Sequence, residues 1–185
     1  MTVSYEIRNE DTENEEYEKV IFLDVDGVLN DNDFERKHRE KIYIQEFRVK
    51  RLKDIVEATQ AEIVMSSSWR HGFKLYNEKP ERITSEHDLS IMKELKDKLD
   101  KYGLSVIDYT EYLTTGPYAR PLEIRKWILD KPNLKRFVIL DDDDFWIWNW
   151  LSDYFVMTKK KRDKYGYDMG LEDEHVKRAI EILNR

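Results

Sequence analysis

The stretch FLDVDGVLN, Phe22 to Asn30, sets Asp24 and Asp26 two residues apart where an apolar run ends, with Gly27 directly after. Carboxylates at the end of a buried strand are costly to hold unless their charge is neutralised, and a bound cation would do that. Two more clusters share this setting. AEIVMSSSWR places Ser66, Ser67 and Ser68 after a second apolar run, and FVILDDDD places Asp141 to Asp144 after a third. Each alone has a bland reading: Asp-x-Asp-Gly as a turn, serine as a helix cap, an acidic run as a solvated loop. All three behind buried strands, in this order, are much harder to explain as turns. The chain has no cysteine, so any metal held here takes oxygen or histidine ligands.

Those side chains need elements that bring them together. Val20 to Asp24 is short, β-rich and apolar on both faces, which predicts a fully buried strand. Val49, Leu52, Ile55 and Val56 recur at helical spacing and lead into a second buried strand, Ala61 to Met65. Leu89, Met92, Leu95 and Leu99 line one side of a further helix that stops near Gly103, ahead of a third strand at LSVID. Pro121 suits the first turn of a helix that Pro132 ends, before a strand from Phe137 to Leu140. Tyr154 to Met157 reads as a fifth strand, and Val176, Ile180 and Leu183 face inward from a last helix. Buried strands alternating with helices predict an α/β fold, a parallel sheet covered on both faces. Ligands bind such a sheet at the carboxyl ends of its strands, near the switch in strand order, and all three clusters fall at strand ends.

With 185 residues, 40% of them hydrophobic, the chain can bury one real core although 38% is charged. Asn9 to Lys19 is polar and acidic, so residues 1–18 read as an exposed lead-in and 19–185 as a single domain. No apolar run reaches membrane-spanning length and no basic-then-apolar leader opens the chain, which reads as cytoplasmic with no membrane contact. A net charge of −7 argues against the broad phosphate-binding surface that long nucleic acid needs, while small anionic substrates and strand ends stay open. No protein partner is identifiable.

Asp-x-Asp after the first strand, serine after the second, then a basic residue and an acidic pair: this order resembles the haloacid dehalogenase (HAD) superfamily of phosphatases. FLDVDGVLN, AEIVMSSSWR, EIRKWI, FVILDDDD and GLEDEHVKRAIEIL are most similar to the HAD domain of Swiss-army-knife RNA-repair proteins. The resemblance runs from Val20 to the C-terminus, except for residues 30–43 and 72–87. It implies a three-layer Rossmann-like fold with little or no cap domain. It also implies that Asp24 is the nucleophile, forming an aspartyl-phosphate, and that Asp26 is the acid and base two residues on. The implied cofactor is Mg2+, held by Asp24, the backbone carbonyl of Asp26 and one acid of the tetrad, with Asp142 aligning best and Asp141 next. Asp143 and Asp144 then stand further out or face water. The Ser66 hydroxyl, the Ser67 amide and Arg120, just before the helix, would hold the phosphoryl oxygens. Pro121 departs from the glycine common in relatives, and Lys126 is the alternative cation.

Around this centre several side chains have two readings. Arg70 reaches the substrate or braces the acidic loop, or else sits in an ion pair beside a packed Trp69. His71 is a ligand or proton carrier, or a surface histidine. Trp146, within FWIWNW, stacks on a nucleobase or packs, and the basic run Lys159 to Tyr167 guides a polyanion or is solvated. The stretch from Asn30 to Phe47 leaves little room for a globular cap, and His71 to Ser90 allows only a short lid. An open site of this kind suits a nucleotide or nucleic-acid end. The leading expectation is therefore a magnesium-dependent phosphohydrolase acting on a phosphorylated small molecule, a nucleotide or a nucleic-acid end. The alternatives are a non-catalytic protein that sequesters a phosphorylated ligand, and a scaffold whose aromatic and basic segments contact a protein.

Overall fold

The structure, a computed structural model, describes residues 18–31, 43–113, 116, 119–143, 150–161 and 167–185. Strand β1 (Lys19–Leu23) lies at the centre of a five-stranded parallel sheet. Its neighbours are β2 (Glu62–Met65) and β4 (Arg136–Asp141), with β3 (Val106–Tyr109) and β5 (Phe155–Met157) at the edges, in the order β3-β2-β1-β4-β5. A central parallel strand is covered on both faces, which is why Val20, Ile21, Phe22 and Leu23 are all apolar and fully buried.

Strand alternation sends these four residues to two cores. Ile21 and Leu23 join Ile63, Met65, Val138 and Leu140 on one face, packed by α1 (Glu46–Thr59), α3 (Glu86–Lys101) and α5 (Asp173–Leu183). Val20 and Phe22 join Val64, Phe137 and Ile139 on the other, covered by Ile124 and Trp127 of α4 (Ala119–Leu129). Phe22 meets the Trp127 ring edge-on, with centroids 5.3 Å apart. α1 and α3 precede strands on one side of β1, whereas α4 crosses to the opposite face to reach β4. The order of strands therefore reverses between β1 and β4, the place where such sheets open a binding crevice.

The expected elements lie close to their predicted bounds, with three differences. Asp141 is the last residue of β4, in register with Met157, so the strand runs one residue past Leu140. The segment expected as a short lid holds α2 (Arg70–Glu78), a 3-10 turn (Pro80–Arg82) and the start of α3, with Phe73 and Met92 in the core. Part of the basic run is regular: β6 (Lys159–Lys161) pairs antiparallel with β7 (Tyr167–Met169). Three consecutive lysines carry no apolar alternation, so the run read as a loop. Among the described residues no helix is long and apolar enough to cross a membrane.

Candidate active site

Where β1 and β4 end side by side, the Asp24 amide still donates to the Leu140 carbonyl at 3.0 Å, so Asp24 is fixed by the sheet although it lies beyond the strand. Asp24, Asp141 and Asp142 place carboxylate oxygens within 4.8 Å of one another. Asp24 is 4% exposed and Asp141 1%, while Asp142 is half-buried. Three carboxylates in so small and dry a space resist ionising together. Burial raises Asp24 above the ordinary range, against the pull of Arg120 and of a hydrogen bond from the Ser67 side chain. Burial and then the Asp24 charge push Asp141 up to about 8, and the same two causes push Asp142 up to about 6. An all-oxygen set of this geometry suits a hard divalent cation, which would relieve the shared repulsion.

Arg120 partly offsets it already. One guanidinium nitrogen lies 2.6 Å from Asp141 Oδ2 and 2.9 Å from Asp24 Oδ1. Burial by itself would lower Arg120, but the two carboxylates outweigh it and the net shift is upward. The sequence placed Arg120 before a helix opening at Pro121; α4 instead begins at Ala119, so Arg120 belongs to its first turn. Pro121 is buried there, in a position where a missing amide costs the helix nothing.

The serine loop follows β2. The Ser66 amide donates to the Leu23 carbonyl at 3.0 Å, which seats the loop against the end of β1. The Ser66 hydroxyl is fully buried and has no hydrogen-bond partner among the described residues, and no serine side chain caps α2, whose N-cap is Trp69. Arg70 is buried: it donates to the Ser66 and Ser67 carbonyls at 3.1 and 2.9 Å and to Glu123 Oε2 at 2.8 Å. It braces the serine loop rather than the acidic one, and its guanidinium is turned to these partners rather than to solvent. Glu123 in turn accepts from the Leu113 amide at 3.3 Å.

Asp26 is exposed, and both of its oxygens are held. Asn30 Nδ2 donates to Oδ1 at 2.9 Å and Trp69 Nε1 to Oδ2 at 2.8 Å. Gly27, at φ +65°, lies in the turn that begins at Asp26, and a Cβ on it would fall 2.4 Å from Asp142 Cγ. The Gly27 carbonyl accepts from the buried Thr158 hydroxyl at 2.7 Å, and the Thr158 amide donates to the Asp141 carbonyl at 2.9 Å. Thr158 therefore ties the turn after β1 to the end of β4.

The structure thus gathers Asp24, Asp26, Ser66, Ser67, Arg120, Asp141 and Asp142 at one end of the sheet. Asp143 stands outside the trio and donates its amide to Asp141 Oδ1 at 3.0 Å. Lys126, the alternative to Arg120, pairs instead with Asp130 and Glu111 on the outer side of α4. His71 is exposed and outside the acidic trio. Trp146 and Asp144 lie outside the described residues. Sequence reasoning missed the partners of the central groups: Asn30, Glu123, Thr158 and the indole nitrogen of Trp69. Asn30 at the close of the turn offered some signal, since asparagine bonds locally to free amides; Glu123 offered none.

Among curated proteins and among solved structures no significant match was found. The family described as "HAD domain in Swiss Army Knife RNA repair proteins" matches residues 20–176, which takes in every part of the site above, and phosphohydrolase-type chemistry is what that membership supports. The chain belongs to the HAD domain family of Swiss Army Knife RNA repair proteins.

Proposed function

We propose that the protein is a magnesium-dependent phosphohydrolase that cleaves phosphomonoesters, on nucleotides or nucleic-acid ends, through an aspartyl-phosphate on Asp24. The observation that carries this reading is the trio of Asp24, Asp141 and Asp142 within 4.8 Å, beside Arg120 and below an Asp26 held at both oxygens. Magnesium, held by Asp24, Asp142 and the Asp26 carbonyl with Asp141 as the next ligand, would screen the approach of a carboxylate to an anionic phosphate. Asp24 attacks phosphorus as the bond to the leaving oxygen breaks, and Asp26 gives that oxygen its proton. Asp26 then takes a proton from water, which attacks the same phosphorus and returns Asp24 as carboxylate with inorganic phosphate. Ser66, whose buried hydroxyl lacks a partner among the described residues, and the Ser67 amide are the donors to the phosphoryl oxygens, and Arg120 holds Asp24 in line while lying close enough to meet the transferred group. The family's description supports a nucleotide or nucleic-acid end as substrate.

The test is phosphate release from a panel of small phosphoesters, nucleotides and end-phosphorylated oligonucleotides, with magnesium or with chelator, for wild type and Asp24→Asn. The expected outcome is magnesium-dependent turnover that Asp24→Asn abolishes. Equal inertness of both proteins, with equal binding of the ligand, would establish sequestration instead.

A further inference from the structure

Next to the site lies a groove of about 580 Å³ between α2 and α3. Ser68 and Trp69 belong to its lining, and Trp69 is the residue whose indole nitrogen donates to Asp26. In the reading above Asp26 protonates the leaving oxygen, so Trp69 connects the groove to the group that would face the leaving side of the ester. Leu75, Ile83, Ile91 and Met92 give it an apolar lining, and Arg82, Thr84 and Asp88 supply polar edges. The volume falls in the range of about 300–1,000 Å³ typical of small-molecule sites. A sugar or polyol would leave that apolar lining unused. A flat heterocycle with apolar faces and a polar rim fits it, and Trp69 offers a ring to pack against.

Resting on the phosphatase reading above, we propose that this groove seats the nucleoside that carries the scissile phosphate. The groove, rather than an inserted cap, selects the substrate. A free nucleotide and the last nucleotide of a strand present the same chemistry to it.

Two measurements test this independently of each other. Binding of adenosine and of uridine, neither of which carries a phosphate, is followed by the amide and indole resonances of the wild-type protein. The Trp69 indole signal is expected to shift in a saturable way, and Thr84→Trp, which fills the rim from an exposed position, is expected to abolish that shift. Nucleosides that leave Trp69 unmoved at millimolar concentration, or that bind Thr84→Trp as well as wild type, overturn the inference, whatever the protein's activity. In turnover, the ratio of kcat/KM for adenosine monophosphate to that for glycerol phosphate is expected to fall about tenfold or more in Thr84→Trp. An unchanged ratio in an active enzyme overturns the groove and leaves the phosphatase standing. An inert wild type that still binds nucleosides does the reverse. Comparing a mononucleotide with an end-phosphorylated oligonucleotide identifies the source, since a strand end gains affinity from the nucleotides beyond the groove and a mononucleotide does not.

Discussion

Gly27 leaves no space for even one more carbon. Its φ of +65° is a conformation that side chains resist, and an added Cβ would overlap the Cβ and Cγ of Asp142, neither of which is a flexible end. The glycine is therefore what lets the turn carrying Asp26 close over the acid that completes the trio. Gly27→Ala is expected to destabilise the fold by about 1–3 kcal/mol from backbone strain alone. Displacement of Asp142 is expected to weaken magnesium binding by about tenfold in addition, as loss of orientation around a metal ligand does. Denaturant unfolding and calorimetric titration with magnesium check the two effects separately. A variant that loses stability yet binds the ion as tightly as wild type would remove Asp142 from the ligand set. Asp26 illustrates a different need: its carboxylate is exposed, so packing cannot orient it, and Asn30 and Trp69 do so by hydrogen bonds from either side.

Among the elements, the start of α2 and the second turn of α4 are joined by Arg70 and Glu123, which are 6% and 2% exposed. This pair links the serine loop, the chain at Leu113 and the helix that presents Arg120. Removing one partner leaves a buried charge, so Glu123→Gln is expected to cost about 3–5 kcal/mol in urea unfolding. A plain ion pair would be rescued by replacing both partners with apolar residues. Here Arg70→Met with Glu123→Leu is expected to regain only part of the stability and to keep a raised KM, because the Ser66 carbonyl and the Leu113 amide lose the side chains that bond them. Full recovery of both would show that the pair positions nothing. No periodicity in the sequence signals such a contact between residues 53 apart. β1, β2, β4, α1, α3 and α5 were legible because burial writes itself into apolar spacing, and the strand-end acids were legible because charge after an apolar run is unusual. Arg70 was open between substrate and structure for the same reason that Glu123 went unnoticed: what a charged residue meets depends on the crossing of α4 to the far face. The pairing of β6 with β7 was hidden by the charge of the run, since Lys-rich strands lack the apolar alternation by which a strand is read.

For the molecule as a whole, the acidic trio links folding to pH and to cations. Asp141 near 8 and Asp142 near 6 both stand above the 3.8 of an unfolded aspartate, so between those values the folded chain binds more protons than the unfolded one. Stability from these groups is complete below about pH 4 and is lost as pH rises through 6 and then 8. Without metal, the melting temperature is expected to fall across that window once the remaining carboxylates have ionised. A divalent cation binds the ionised trio of the folded chain and not the dispersed unfolded one, so it stabilises, and protons compete with it less as pH rises. The gain in Tm from magnesium is therefore expected to be small near about pH 5 and larger near about pH 8. Thermal unfolding in chelator and in magnesium, repeated along that range for wild type and for Asp142→Asn, measures it. In the variant the magnesium-dependent gain is expected to shrink at every pH, while its metal-free stability at high pH rises, because one of three crowded charges has gone. A magnesium effect that is the same at both ends of the range, or that survives Asp142→Asn undiminished, would mean that the cation binds elsewhere on a chain whose net charge of −7 attracts it anyway.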